Sequence, residues 1–161
     1  MMSCENSIKL CGLLLVLALF SCKRPANEQL QSETEVAKED TTAFSLDSFT
    51  EFPEEVMGCS CYFGLDSAAF AQGQYEFVSD FGETAFVSIN GEITKFTRVS
   101  REEVDSVTTK SRYENLDFWL SIQLIDGRAL DYEVSRMTGK MTLGNKSGKE
   151  ISVDLFGVCG C

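Results

Sequence analysis

Two short cysteine motifs set the strongest limit on what this chain can fold into. Cys59-Ser60-Cys61 and Cys159-Gly160-Cys161 stand about a hundred residues apart, and the second pair occupies the last three positions. In an extended strand, residues two apart point to the same face, so each motif presents both sulfurs together. If the strands that carry them lie side by side and antiparallel, Cys59 faces Cys161 and Cys61 faces Cys159. Opposed residues of the non-hydrogen-bonded kind sit ~4.5 Å apart at Cα, at the short end of what a disulfide accepts. Two stacked bridges would then close the sheet. Each encloses about 100 residues. The first is worth ~4–5 kcal/mol in the chain-entropy model, and the second, which closes almost nothing new, much less.

The same four thiols have other possible uses. Pairing Cys59 with Cys159 and Cys61 with Cys161, or bridging within each motif, satisfies the same count. Unoxidised, Cys59, Cys61, Cys159 and Cys161 offer a four-thiolate metal site for Zn(II) or Cu(I). Against that, structural zinc pairs favour C-x2-C spacing on turns, and the absence of His removes a mixed ligand set. A small strained ring at Cys159-Gly160-Cys161 would be a labile, redox-active disulfide. Structural bridges are the simplest of the three, and no cofactor is expected.

Between the motifs the sequence reads as all-β. Short runs alternate apolar and polar residues, and turn signals separate them. Thr84 to Ile89 and Glu92 to Val99 flank Asn90-Gly91, a strong hairpin signal because a type I′ turn needs positive φ twice. Phe118 to Ile125 and Arg128 to Arg136 flank Asp126-Gly127 in the same manner. Lys140 to Leu143 and Glu150 to Phe156 flank a longer loop, and further strands are expected around Met57 to Phe63 and Tyr75 to Ser79. Arg101 to Lys110 is too polar for a central strand and is expected as a short helix or an exposed crossing. Seven or eight strands joined by hairpins predict an antiparallel sandwich or small barrel, closed by pairing of its first and last strands. Phe63, Phe77, Phe86, Phe96, Phe118, Trp119 and Phe156 would supply core volume.

The first 22 residues carry an address. Leu10 to Phe20 is an uncharged run of eleven residues, too short to span a bilayer but suited to a signal-peptide core. Leu19-Phe20-Ser21-Cys22 follows, and it resembles the lipobox of bacterial lipoproteins. The resemblance implies a signal peptide over 1–21, cleavage after Ser21 and a diacylglycerol thioether on Cys22. At ~0.8 kcal/mol per buried methylene, two or three acyl chains make such an anchor effectively permanent. Lys23, in place of the Asp that marks inner-membrane retention in that family, implies the outer membrane of a bacterial envelope. Residues 22–48 are polar and acidic and are expected to be a flexible tether, leaving 49–161 as the β domain.

Cleavage sorts the composition. Cys4 and Cys11 leave with the leader, Cys22 takes lipid, and four cysteines remain for the domain. The leader holds one acid and one base, so the net charge stays at -11, with six acids and three bases on the tether and -8 on the domain. Such a charge excludes nucleic acid as a partner, because phosphate binding needs a cationic face. Without His, Ser-His-Asp and Cys-His catalysis is absent. Adjacent acids such as Glu54-Glu55 and Glu102-Glu103 point apart and form no pair across a cleft. No enzyme activity is expected.

Met57-Gly58-Cys59-Ser60-Cys61-Tyr62-Phe63, Ser88-Ile89-Asn90-Gly91 and Phe156-Gly157-Val158-Cys159-Gly160-Cys161 together resemble a group of small exported bacterial proteins. Those begin near Gly-Cys-Ser-Cys and end in Gly-x-Cys-Gly-Cys. The similarity spans Gly58 to Cys161 and implies a compact β domain with no particular activity. A weaker likeness, over Ser135 to Leu143, is to lipoprotein inhibitors of lysozyme, and an acidic domain would attract a basic enzyme through its field. The expected role is therefore a membrane-anchored binding or structural lipoprotein with an envelope partner.

Overall fold

The computed structural model describes residues 43–161. The leader, Cys22 and the tether up to position 42 lie outside the described residues. In chain order the elements are β1 (Leu46–Asp47), β2 (Ser60–Gly64), α1 (Ser67–Ala71), β3 (Phe77–Asp80), β4 (Thr84–Ile89), β5 (Glu92–Glu103), β6 (Thr108–Glu114), β7 (Phe118–Ala129), β8 (Val134–Asn145) and β9 (Glu150–Gly160). No helix among the described residues is long and apolar enough to cross a membrane.

From β2 to β9 each strand pairs antiparallel with its successor, and β9 returns to pair with β2. Of the two expected architectures this is the barrel. It is an eight-stranded meander closed by its first and last strands. Closure removes the unpaired edges that an open sheet would present to other chains.

Local chemistry explains several junctions. Asn90 (φ 53°) and Gly91 (φ 79°) form the expected two-residue turn between β4 and β5. Asp66 caps α1, its Oδ1 accepting the N–H groups of Ala68 and Ala69 at 2.8 Å. Gly157 faces Phe63 across the closing seam, and a Cβ there would lie 2.0 Å from the Tyr62 carbonyl oxygen and 2.8 Å from the Phe63 ring. Only a residue without a side chain lets that ring lie over β9.

Two sequence expectations fail, each for a readable reason. Asp126-Gly127 makes no hairpin. β7 runs on to Ala129 with a register shift after Asp126, and the chain reverses over Leu130 to Glu133. A turn at Asp126-Gly127 would have set Leu120 opposite Glu133 and Ile122 opposite Asp131. The observed register sets them opposite Leu143 and Met141, all four buried inside the barrel. Apolar pairing outweighs a local turn preference.

Arg101 to Lys110 is neither helix nor crossing, because β5 continues to Glu103 and β6 begins at Thr108. Asp105 makes the reversal, its Oδ1 accepting the N–H groups of Val107 and Thr108 at 2.9 and 2.8 Å. Those backbone hydrogen bonds hold its carboxyl below the usual range.

The tether boundary also moves. Phe44 is buried, Leu46 and Asp47 pair with Ile89 and Ser88 as β1, and Phe49 bridges Tyr75. A stretch read as tether therefore belongs to the fold. Phe44 and Leu46 join the barrel core, while Phe49 packs edge-on to Tyr75 at 6.3 Å.

The interior follows the alternation of each strand. Phe63, Phe77, Phe96, Leu120, Ile122, Met141 and Leu143 form its fully buried centre. Trp119 and Phe156, expected in the core, lie outside it. Arg112 sits 4.5 Å over the Trp119 ring, and Phe156 packs edge-on to Phe70 of α1 at 5.9 Å. Tyr62 stacks on Phe70 at 5.6 Å and meets Phe52 and Tyr75 edge-on, so an aromatic cluster covers the outer face around α1.

Candidate functional site at the open end of the barrel

The barrel is filled along only part of its length. Towards the end where β2, β6 and β8 begin, the core gives way to an open cavity of about 360 Å³. An eight-stranded barrel is just wide enough to be packed with side chains or to hold one small ligand. Both conditions occur within this one.

The disulfides stand at this end. Cys59 is bonded to Cys161 and Cys61 to Cys159, with Cα separations of 4.0 Å in both pairs. That is the antiparallel pairing expected from two C-x-C strands. Cys61 lies directly opposite Cys159 in the β2–β9 ladder, and this bridge packs on the core while lining the cavity. The Cys59–Cys161 bridge sits further out at the rim, where Cys161 is exposed. With all four sulfurs bonded across the seam, no thiolate is left for the four-ligand metal set, and neither motif closes a ring on itself. Among the described residues no cluster of three or more His, Cys, Asp or Glu is arranged to hold a metal.

The cavity has two unlike walls. On β7 and β8 it is apolar, through Ile122, Leu124 and Met137. On β5 and β6 it is polar and cationic, through Arg98, Arg101, Thr109, Ser111 and Tyr113. Strand geometry brings these groups inward. Thr109, Ser111 and Tyr113 alternate on one face of β6. In β5 the pairing slips between Arg98 and Ser100, leaving Val99 unmatched, so that Arg101 stands opposite Ser111 and shares its face. Without that bulge Ser100 and Glu102 would point inward instead.

Tyr113 lies at the floor, 5% exposed, with its ring edge-on to Phe77 at 6.0 Å. Burial pushes its hydroxyl above the ordinary phenol range, while the charge of Arg98 and hydrogen bonds with Arg98 and Ser111 pull the other way. The phenol is therefore neutral at physiological pH. Carboxylates line the mouth as well. Asp126 and Glu133 are exposed to solvent, and Asp80 is occupied, its Oδ1 accepting the Thr84 N–H at 2.8 Å. The three ion pairs among the described residues use Lys95, Arg112 and Lys140, so neither Arg98 nor Arg101 has a carboxylate within ion-pair distance.

Sequence reasoning brought the four cysteines together and missed everything else at this site. Polar residues alternating along β5 and β6 look like a solvated outer face. The signal that could have found them is the strand containing Phe96: Arg98 follows two residues after it and so must share its inward face. Comparison of the chain finds no matching family model, curated protein or solved structure.

Proposed function

We propose that this protein is an exported, lipid-anchored binding module whose barrel takes a small ligand into its open end. The observation that carries the binding role is the 360 Å³ cavity inside an otherwise close-packed barrel, with polar groups converging on one wall. Interiors are normally filled to the density of organic crystals, so an open volume of this size is a feature of the fold rather than slack.

Export and anchoring rest on separate support. Cross-strand disulfides persist in oxidising compartments and are rare in the cytosol. The leader with its Leu19-Phe20-Ser21-Cys22 motif supplies both the route and the lipid site. The tether then links the barrel to a bacterial outer membrane. An acidic surface and the lack of His favour binding over catalysis.

Two measurements test this. Cells expressing the full chain should incorporate labelled palmitate, and Cys22→Ala should abolish the label; persistent labelling would overturn the anchor. Apolar small molecules of about a dozen non-hydrogen atoms should raise the melting temperature of the purified protein. A panel that leaves it unmoved would overturn the binding role.

A further inference from the structure

The cavity's chemistry specifies more than its size. At ~30 Å³ for each water-sized occupant, 360 Å³ holds about a dozen non-hydrogen atoms. One wall is aliphatic and the other carries two guanidinium groups that lack a carboxylate partner among the described residues. Arg98 is half-buried, and a partly desolvated cation without a counter-ion is costly, a cost that an incoming anion relieves.

We propose that the open end of the barrel binds an amphipathic monoanion, a carboxylate on an apolar body of roughly ten carbons. Arg98 and Arg101 face its headgroup, and Ile122, Leu124 and Met137 face its body. This rests on the binding role proposed above and names the ligand class for that site.

The two arginines differ in task. Arg98 is half-buried and stands directly opposite Tyr113 in the β5–β6 ladder, at the floor of the cavity. Planar, fixed donors match a carboxylate in two parallel hydrogen bonds. Arg101 is exposed and sits one step nearer the mouth, opposite Ser111. Thr109 and Ser111 add hydroxyls on the same wall, and Ser79 of β3 adds another to the lining.

The acids Asp126 and Glu133 act in the opposite sense, but both are solvent-exposed at the rim, where water and salt screen them. They select against a second negative charge on the ligand. Phe81 and Tyr132 also line the mouth, and both are exposed, Tyr132 at 95%. Together they give an apolar tail a surface to meet on its way in.

The test compares three ligands with the same tail in the native protein: decanoate, decanol and decylammonium, each followed by isothermal titration calorimetry below its micelle concentration. A charge-assisted hydrogen-bonded headgroup should give decanoate at least tenfold tighter binding than decanol, with decylammonium weakest. Arg98→Gln should bring decanoate down to the level of decanol. Arg101→Gln, at an exposed position where folding is not at risk, should reduce it by a smaller factor.

Equal affinity for decanoate and decanol would overturn the anion assignment and leave an apolar cavity. Tightest binding of decylammonium would overturn it in favour of the rim acids. Binding of none of the three would remove the small-ligand role itself. If Arg98→Gln loses its cooperative melt, the headgroup series in the native protein decides alone.

Discussion

At one end of the barrel Phe44 packs edge-on against Phe118 at 5.2 Å, with Leu46 and Ile151 beside them. At the other end Arg98, Ser111 and Tyr113 line an open cavity, and two disulfides clasp the rim. The first end is closed by chain that precedes the barrel and fills it with apolar side chains. The second stays open and is held by covalent bonds instead of packing. The contrast shows how a small barrel can keep a hole. The apolar packing missing at the mouth is offset by bridges, which stabilise mainly by limiting the unfolded chain and take up almost no interior volume.

Truncating side chains at the two ends should break this comparison if it is wrong. Phe44→Ala removes a 7%-exposed ring from the closed end and should cost about 3–5 kcal/mol in chemical denaturation. Leu124→Ala, on the cavity wall, should cost only roughly 1–2 kcal/mol, since that side chain already borders open space. Equal losses would mean that both ends are packed alike.

The bridges give the next largest effect. Serine at Cys59, Cys61, Cys159 and Cys161 together should cost about 2–5 kcal/mol in the same denaturation assay. Removing one pair alone should cost less than ~1 kcal/mol, because the bridges span 102 and 98 residues and either one closes nearly the same loop. If losing one bridge costs as much as losing both, they act on the folded seam rather than on the unfolded chain.

The smallest effect lies beside β1 at the closed end. Glu76 is 2% exposed and accepts a hydrogen bond from the Ser48 hydroxyl. Burial pushes its carboxyl above the ordinary range, against the pull of Ser48. A carboxyl raised on folding leaves the native state holding more protons than the unfolded one. Stability is therefore full below the unfolded pKa near 4.5 and falls as pH rises through the folded value. Glu76→Gln should raise the melting temperature at pH 7, and the difference should vanish below about pH 4. A constant difference across that range would mean that Glu76 is not titrating against burial.

The sequence made the seam legible and hid the cavity. Cysteines two apart must share a face in any strand, so Cys59–Cys161 and Cys61–Cys159 followed from pairing the two motifs antiparallel. Asn90-Gly91 was legible because its turn type depends on two adjacent residues alone. Asp126-Gly127 carries the same local signal, yet the register of Leu120 and Ile122 against Leu143 and Met141 overrides it. Arg98, Arg101 and Tyr113 were hidden for a related reason. Alternation says which residues share a face, but it cannot say that a polar face turns inward until the barrel has closed around it.

The cysteine motifs that limit this chain most strongly thus determined a closed β structure and the strands that close it. Covalent geometry and strand period are local, and they read directly from residue order. Which of two sheet architectures formed, where the tether ended and what faced the interior were decided only in three dimensions. Those outcomes depend on burying Phe44, Leu120 and Leu143 together, and on one unpaired residue in β5 that turns Arg101 inward. No window of sequence contains both partners of such contacts.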